Sequence, residues 1–144
     1  VAYDPFIDSA HIEIDFFDGQ EVNFTIDTIS KEAVLEQADF ISLHVPAQDD
    51  YVISVREFEI MKDGVGIVNA ARGGLIDEKA LIEAIESGKV SNAALDVFEN
   101  EPTPEIKLLM NPKISLTPHI GAATQEAQTR IGEELAEQII KIFN

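Results

Sequence analysis

The chain has 144 residues, enough for one domain with a core of its own. Asp and Glu number 27 against 10 Lys and Arg, a net charge of −17, so the summed field repels phosphate backbones and anionic membranes and argues against both as partners. There is no cysteine for disulfides or thiolate metal sites, no run near the roughly 20 apolar residues of a membrane span, and no opening signal peptide, so a cytoplasmic protein is expected.

Val1-Ala2-Tyr3-Asp4 has the apolar run and terminal acid of a parallel strand ending at a ligand crevice, and Pro5 stops it. Residues 5 to 20 read as irregular and acid-rich, Asp18-Gly19 as a turn, and Glu21 to Thr25 as a short edge strand. Asn23-Phe24-Thr25 matches a glycosylation sequon by chance, and His11 reads as a surface residue. Ser30 caps a helix over Lys31 to Gln37, and Asp39 to Val45, closed by Pro46, suits a strand buried on both faces. Ser54 with Glu57 forms a capping box for a helix to about Met61, stopped at Gly64. Val65 to Asn69 is the next strand and runs into the turn Ala70-Ala71-Arg72-Gly73-Gly74. Asp77 then caps a helix whose Ala80, Leu81, Ala84 and Ile85 share one face, and Gly88 ends it. Ala93 to Phe98 reads as a buried strand with Asp96 inside it, Glu99 to Pro104 as a loop, and Ile114 to Thr117 as the last strand. A closing helix spans Thr124 to about Phe143, with Ile131, Leu135, Ile139 and Ile142 on one stripe. Strand and helix alternate at spacings that suit right-handed crossovers, which predicts an α/β fold with a doubly wound parallel sheet.

Open sheets of this kind bind ligands in the crevice beyond the carboxyl ends of their strands. Asp4, His44, Arg72, Glu101 and His119 fall there, with Asp96 close by. The planar fork of Arg72 can grip a substrate carboxylate with two parallel hydrogen bonds, or pair with a surface acid or loop carbonyls. A lone Arg-Gly-Gly is not a repeated, cationic RNA-binding array. His119 can exchange protons beside a carboxylate, or be an ordinary hydrogen-bonded loop histidine. Glu101 can be that carboxylate, or a solvated acid in an acidic loop. His44 fits a neutral, hydrogen-bonded strand end. No HExxH-like spacing links the histidines, so no metal is expected.

Tyr3-Asp4-Pro5, Asp39 to Pro46 (DFISLHVP), Asn69 to Ile76 (NAARGGLI), Ala93 to Pro102 (AALDVFENEP) and Thr117 to Gln128 (TPHIGAATQEAQ) keep one order. In these stretches the chain resembles the Rossmann-type NAD-binding domain of the D-isomer-specific 2-hydroxyacid dehydrogenases. The match is nearest the branch that oxidises D-3-phosphoglycerate in the first step of serine biosynthesis. The resemblance implies hydride transfer between NAD and a small D-2-hydroxy acid, in a homodimer or homotetramer. It assigns Arg72 to the substrate carboxylate, His119 to acid–base work and Glu101 to the partner of His119. Asp4 would bind the adenosine ribose hydroxyls, favouring NAD over NADP. His44, Val45, Pro46, Ala70, Ala71, Arg72, Asp96, His119, Ile120, Gly121 and Ala122 would line the rest of the cofactor, Asp96 facing the carboxamide.

The chain also departs from the family pattern. Residues 5 to 30 do not follow it, and Ala47 to Tyr51 replace a small hydroxylic stretch. No G-x-G-x-x-G occurs, although that turn precedes an acid such as Asp4 by about 20 residues. Residues 1–144 are therefore expected to be an N-terminally truncated NAD-binding domain without its first strand, lacking the substrate domain and inactive alone. Three alternatives stand beside this reading. One is another member such as a glyoxylate or hydroxypyruvate reductase, one an NAD-sensing co-repressor of the same fold, and one a structural fragment that binds no nucleotide.

Overall fold

The computed structural model describes residues 1–143. In chain order the elements are β1 (Ser9–Asp15), β2 (Glu21–Asp27), α1 (Lys31–Gln37), β3 (Phe40–Leu43), α2 (Val55–Ile60), β4 (Val65–Asn69), α3 (Glu78–Ser87), β5 (Val90–Leu95), α4 (Ile106–Leu109), β6 (Ile114–Leu116) and α5 (Gln125–Phe143). Strands β3 to β6 form one parallel Rossmann-type sheet in that order, so each helical crossover moves the chain one strand along.

The register places Ile41, Ile67, Ala93 and Ile114 side by side across the sheet, and Leu43, Asn69, Leu95 and Leu116 in the next row. Both rows face the core, where they meet Leu35 of α1, Phe58 of α2, and Leu81 and Ile85 of α3. Because side chains alternate along a strand, Phe40, Ser42 and Val68 turn the other way. That second face is open among the described residues, and Phe40 is 81 % exposed. Asp39 to Val45 is thus a shorter strand than expected, buried on one face rather than two.

Capping decides where α3 starts and stops. Asp77 accepts from the Lys79 and Ala80 N–H groups at 3.1 Å each, and Gly88 takes the left-handed conformation, φ 82°, that ends the helix. The expected face of Ala80, Leu81, Ala84 and Ile85 is buried.

Three expectations need correction. Val1 to Asp4 is not a strand; only Ala2 makes a bridge, to Thr28. Residues 5 to 20 are irregular only in part, because Ser9–Asp15 forms β1 and pairs antiparallel with β2 across the turn at Gly19. Their period-two pattern gives the reason: Ala10, Ile12 and Ile14 stand opposite Ile26, Phe24 and Val22, while Ser9, His11, Glu13 and Asp15 point the other way. Strand β5 begins at Val90 and ends at Leu95, so Asp96 lies just beyond it, its N–H bonded to the Asn69 carbonyl at 2.9 Å. The closing helix takes its expected place as α5; its stripe of Ile131, Leu135, Ile139 and Ile142 is exposed, and no described residue of that helix is buried.

The helix contrast is measurable by denaturant unfolding. Leu81→Ala, at a fully buried site, should cost about 2–5 kcal/mol. Ile139→Ala on α5 should change stability by no more than about 0.5 kcal/mol.

Candidate active site

A buried amide sets the turn after β4. Asn69 accepts from the Ala71 N–H through Oδ1 at 3.1 Å and donates from Nδ2 to the Arg72 carbonyl at 2.9 Å, closing a tight turn around Ala70 and Ala71. The next residue must be glycine for a reason of space. A Cβ on Gly73 would lie 1.9 Å from the Phe98 carbonyl oxygen, so this turn rests directly on the loop that follows β5. Arg72 is exposed, with Nη1 donating to the Ala71 carbonyl at 2.6 Å. It forms no ion pair among the described residues.

The loop beneath Gly73 carries Glu101. Its Oε2 lies 2.7 Å from His119 Nδ1, and its Oε1 accepts from the Phe98 N–H at 3.0 Å. The His119 bond first, and then the Phe98 N–H, hold the Glu101 carboxyl below the usual carboxylate range. The pair remains open to solvent, with side chains 47 % and 36 % exposed, and His119 Nε2 makes no hydrogen bond among the described residues.

His119 sits at φ 55°, in the left-handed region that a histidine adopts at some cost. Asp96 enforces it. Its Oδ1 accepts from the Thr117 hydroxyl at 2.5 Å and the Ile120 N–H at 2.9 Å, and its Oδ2 from the Gly121 N–H at 2.8 Å. Burial, with 7 % exposure, would raise the Asp96 carboxyl, but the three donors and then the charge of His119 outweigh it and bring it below the ordinary value.

Arg72, Glu101 and His119 line one cavity of about 730 Å³, together with Gln48 to Tyr51, Gly73, Gly74 and Phe98 to Asn100. The charge of Glu99 foremost, and then burial, push the Tyr51 phenol up on its rim. Asp4, His44 and Val45 line a second cavity, of about 380 Å³, between the first residues and β3. Asp4 Oδ1 accepts from the Phe6 N–H at 2.8 Å, while His44 Nε2 lies 2.9 Å from the Ser42 hydroxyl. Pro46 follows β3, Ala70 and Ala71 form the Asn69 turn, and Ile120, Gly121 and Ala122 continue from the turn that Asp96 holds. Sequence reasoning passed over Asn69, although an amide closing the apolar run Val65 to Val68 was a visible signal.

The sequence profile of the D-isomer specific 2-hydroxyacid dehydrogenase, NAD binding domain, matches residues 2–121. The chain belongs to that family. A hydroxypyruvate reductase of Thermotoga maritima is 49 % identical over 146 residues, covering 98 % of this chain and 44 % of the relative. A D-3-phosphoglycerate dehydrogenase of Archaeoglobus fulgidus is 42 % identical over 145 residues, covering 99 % and 26 %. The crystal structure of a glyoxylate reductase from Paecilomyes thermophila superposes with a TM-score of 0.69 at 48 % identity, covering 74 % of this chain and 33 % of that one. The chain thus spans less than half the length of these relatives.

The cofactor of this dehydrogenase family domain is NAD, and the second cavity fits part of it. Asp4 Oδ2 receives no hydrogen bond among the described residues and can accept from paired ribose hydroxyls, while Val1, Ala2, Val34, Leu35 and Val45 offer apolar walls.

Asp96→Asn should show what the buried anchor contributes. A carboxyl lowered on folding stabilises above its unfolded value, near pH 4, and loses that contribution as pH falls below it. Urea unfolding at about pH 7 should find the variant weaker by about 1–3 kcal/mol, and the gap should narrow in acid.

Proposed function

We propose that the full protein is an NAD-dependent oxidoreductase interconverting a D-2-hydroxy acid and its 2-oxo acid. The observation that carries this is the 2.7 Å pair of His119 and Glu101 sharing a cavity with an arginine that has no acid partner among the described residues. His119 is the acid–base group. Its Nδ1 is held by Glu101, leaving Nε2 to take the substrate hydroxyl proton or return it to the carbonyl oxygen. Glu101 is stabilised as a carboxylate, so it fixes the imidazole orientation and favours the imidazolium formed when the proton arrives. Among the described residues the Arg72 side chain has only a backbone carbonyl as partner, and it can exchange it for the substrate carboxylate, which it grips with two parallel hydrogen bonds. Bound NAD supplies the hydride chemistry, and Asp4 selects it over a cofactor with a 2′-phosphate by charge.

Relatives named for hydroxypyruvate and for D-3-phosphoglycerate both match, and the rim of the cavity bears on the choice. Among the described lining residues, Asp49, Asp50, Glu99 and Glu101 stand against Arg72, with His119 already paired to Glu101. Like charges repel, so this rim favours a substrate with one anionic group, of the hydroxypyruvate or glyoxylate type. D-3-phosphoglycerate is the second reading, supported by the 42 % identity of the Archaeoglobus relative. Steady-state assays on the full protein separate them: reduction of hydroxypyruvate should exceed that of its phosphorylated analogue, and the opposite order would overturn the preference.

His119→Ala should lower turnover by about 10²–10⁴-fold with NADH affinity nearly unchanged, and unaltered turnover would remove it from the mechanism. Arg72→Lys keeps the charge and loses the fork, so substrate KM should rise well above that of the parent.

A further inference from the structure

We propose that Glu78 and Glu99 are positioning residues for the acid–base pair, forming a mutual clasp between α3 and the loop after β5 that sets where Glu101 meets His119. The proposal deepens the reading above and rests on it only for its effect on turnover.

The clasp consists of two reciprocal hydrogen bonds. Glu99 Oε1 accepts from the Glu78 N–H at 2.9 Å, and Glu78 Oε1 accepts from the Glu99 N–H at 2.8 Å. Each carboxylate thus binds the backbone of the other residue, and the two segments are locked as a unit. One side of the lock is rigid. Glu78 opens α3, whose preceding residue Asp77 caps the helix, accepts from the Ser54 hydroxyl at 3.0 Å, and donates its N–H to the Ile53 carbonyl at 2.9 Å.

The other side is the backbone that holds Glu101. The Phe98 N–H donates to Glu101 Oε1, the Phe98 carbonyl lies against Gly73, and the Glu99 N–H donates to Glu78. The peptide joining Phe98 to Glu99 is therefore held at both its carbonyl and its N–H, and the peptide before it at the Phe98 N–H. Release of the Glu99 N–H would let that stretch rotate, and the donor that aims Glu101 would turn with it. Neither Glu78 nor Glu99 hydrogen-bonds His119 or Arg72, so both act through Glu101 rather than on the reacting atoms.

The electrostatics argue that the clasp is not there for stability. Glu78 is 6 % exposed; burial first, with the charges of Glu99 and Glu105 adding to it, raises its carboxyl above the ordinary value against the opposing Glu99 N–H bond. Two like charges brought together at a buried site disfavour the ionised folded state, and what the pair provides is geometry.

Glu78→Ala removes the clasp, while Glu78→Gln keeps the Oε1 acceptor and removes the charge. The reporter is the Glu101 side-chain carboxyl, followed by carbon NMR titration of this chain; His119 and Asp96, the other groups acting on it, are unchanged in both variants. In Glu78→Ala the Glu101 midpoint should move up toward the ordinary carboxylate value, and in Glu78→Gln it should stay near the parent. Turnover of the full protein should fall about tenfold in the alanine variant with KM for NADH unchanged, and recover in the glutamine variant. Parent-like titration in Glu78→Ala would overturn the clasp. Should that variant fail to fold, Glu78→Asp, which shortens the reach by one methylene, must show the upward shift, and its absence would overturn the proposal equally. An inactive full-length parent whose Glu101 still shifts in Glu78→Ala would sink the dehydrogenase reading and support the clasp.

Discussion

Asp96 gathers a hydroxyl and two backbone N–H groups onto one buried carboxylate, and by doing so keeps His119 in a conformation that the residue would not hold by itself. Buried carboxylates are tolerated when their lone pairs are filled, and here the donors come from both sides of the histidine. The strain at His119 is therefore distributed over the turn from Thr117 to Gly121. Asp96 is itself placed by the sheet, since its N–H extends the pairing of β5 with β4 through the Asn69 carbonyl. One hydrogen-bonded path thus runs from the parallel sheet to the backbone that carries His119.

The site is assembled from three consecutive strand ends, each fastened in its own way. Asn69 shapes the turn beyond β4, Asp96 the turn beyond β6, and the loop beyond β5 is pressed between Gly73 and Glu78. The chain carries −17 overall, yet Arg72 is left without an acid partner among the described residues. Placement accounts for this. Arg72 projects from a turn fixed by an uncharged amide, while the nearby carboxylates of Glu99 and Glu101 are already occupied by N–H groups and an imidazole.

Much of this was legible before the fold was seen, because the signals were local. Ser30, Asp77 and Gly88 mark helix ends through side-chain and backbone preferences that act within three or four residues, and each took its expected place. Arg72, Glu101 and His119 were legible as strand-end groups, and the structure brings them into one cavity. Two kinds of feature were not legible. The alternation in β1 was hidden by the acids in and around it, among them Asp8, Glu13, Asp15 and Asp18, which look like loop composition although Glu13 and Asp15 occupy one face of a hairpin. The bonds between Glu78 and Glu99 join positions 21 residues apart through side chain and backbone, a pairing that leaves no periodic trace in the sequence.

The hairpin and α5 add length without adding a shared interior. Strands β1 and β2 show only intermediate or exposed residues, and α5 has none buried among those described. Heat capacity and the denaturant slope of unfolding follow the area newly wetted, not the number of residues. For this chain both quantities should be those of a shorter protein, with the parallel sheet and α1 to α3 supplying nearly all of the cooperative transition. Amide hydrogens of α5 would exchange through local fraying long before that transition is reached, so one molecule carries two widely separated scales of opening.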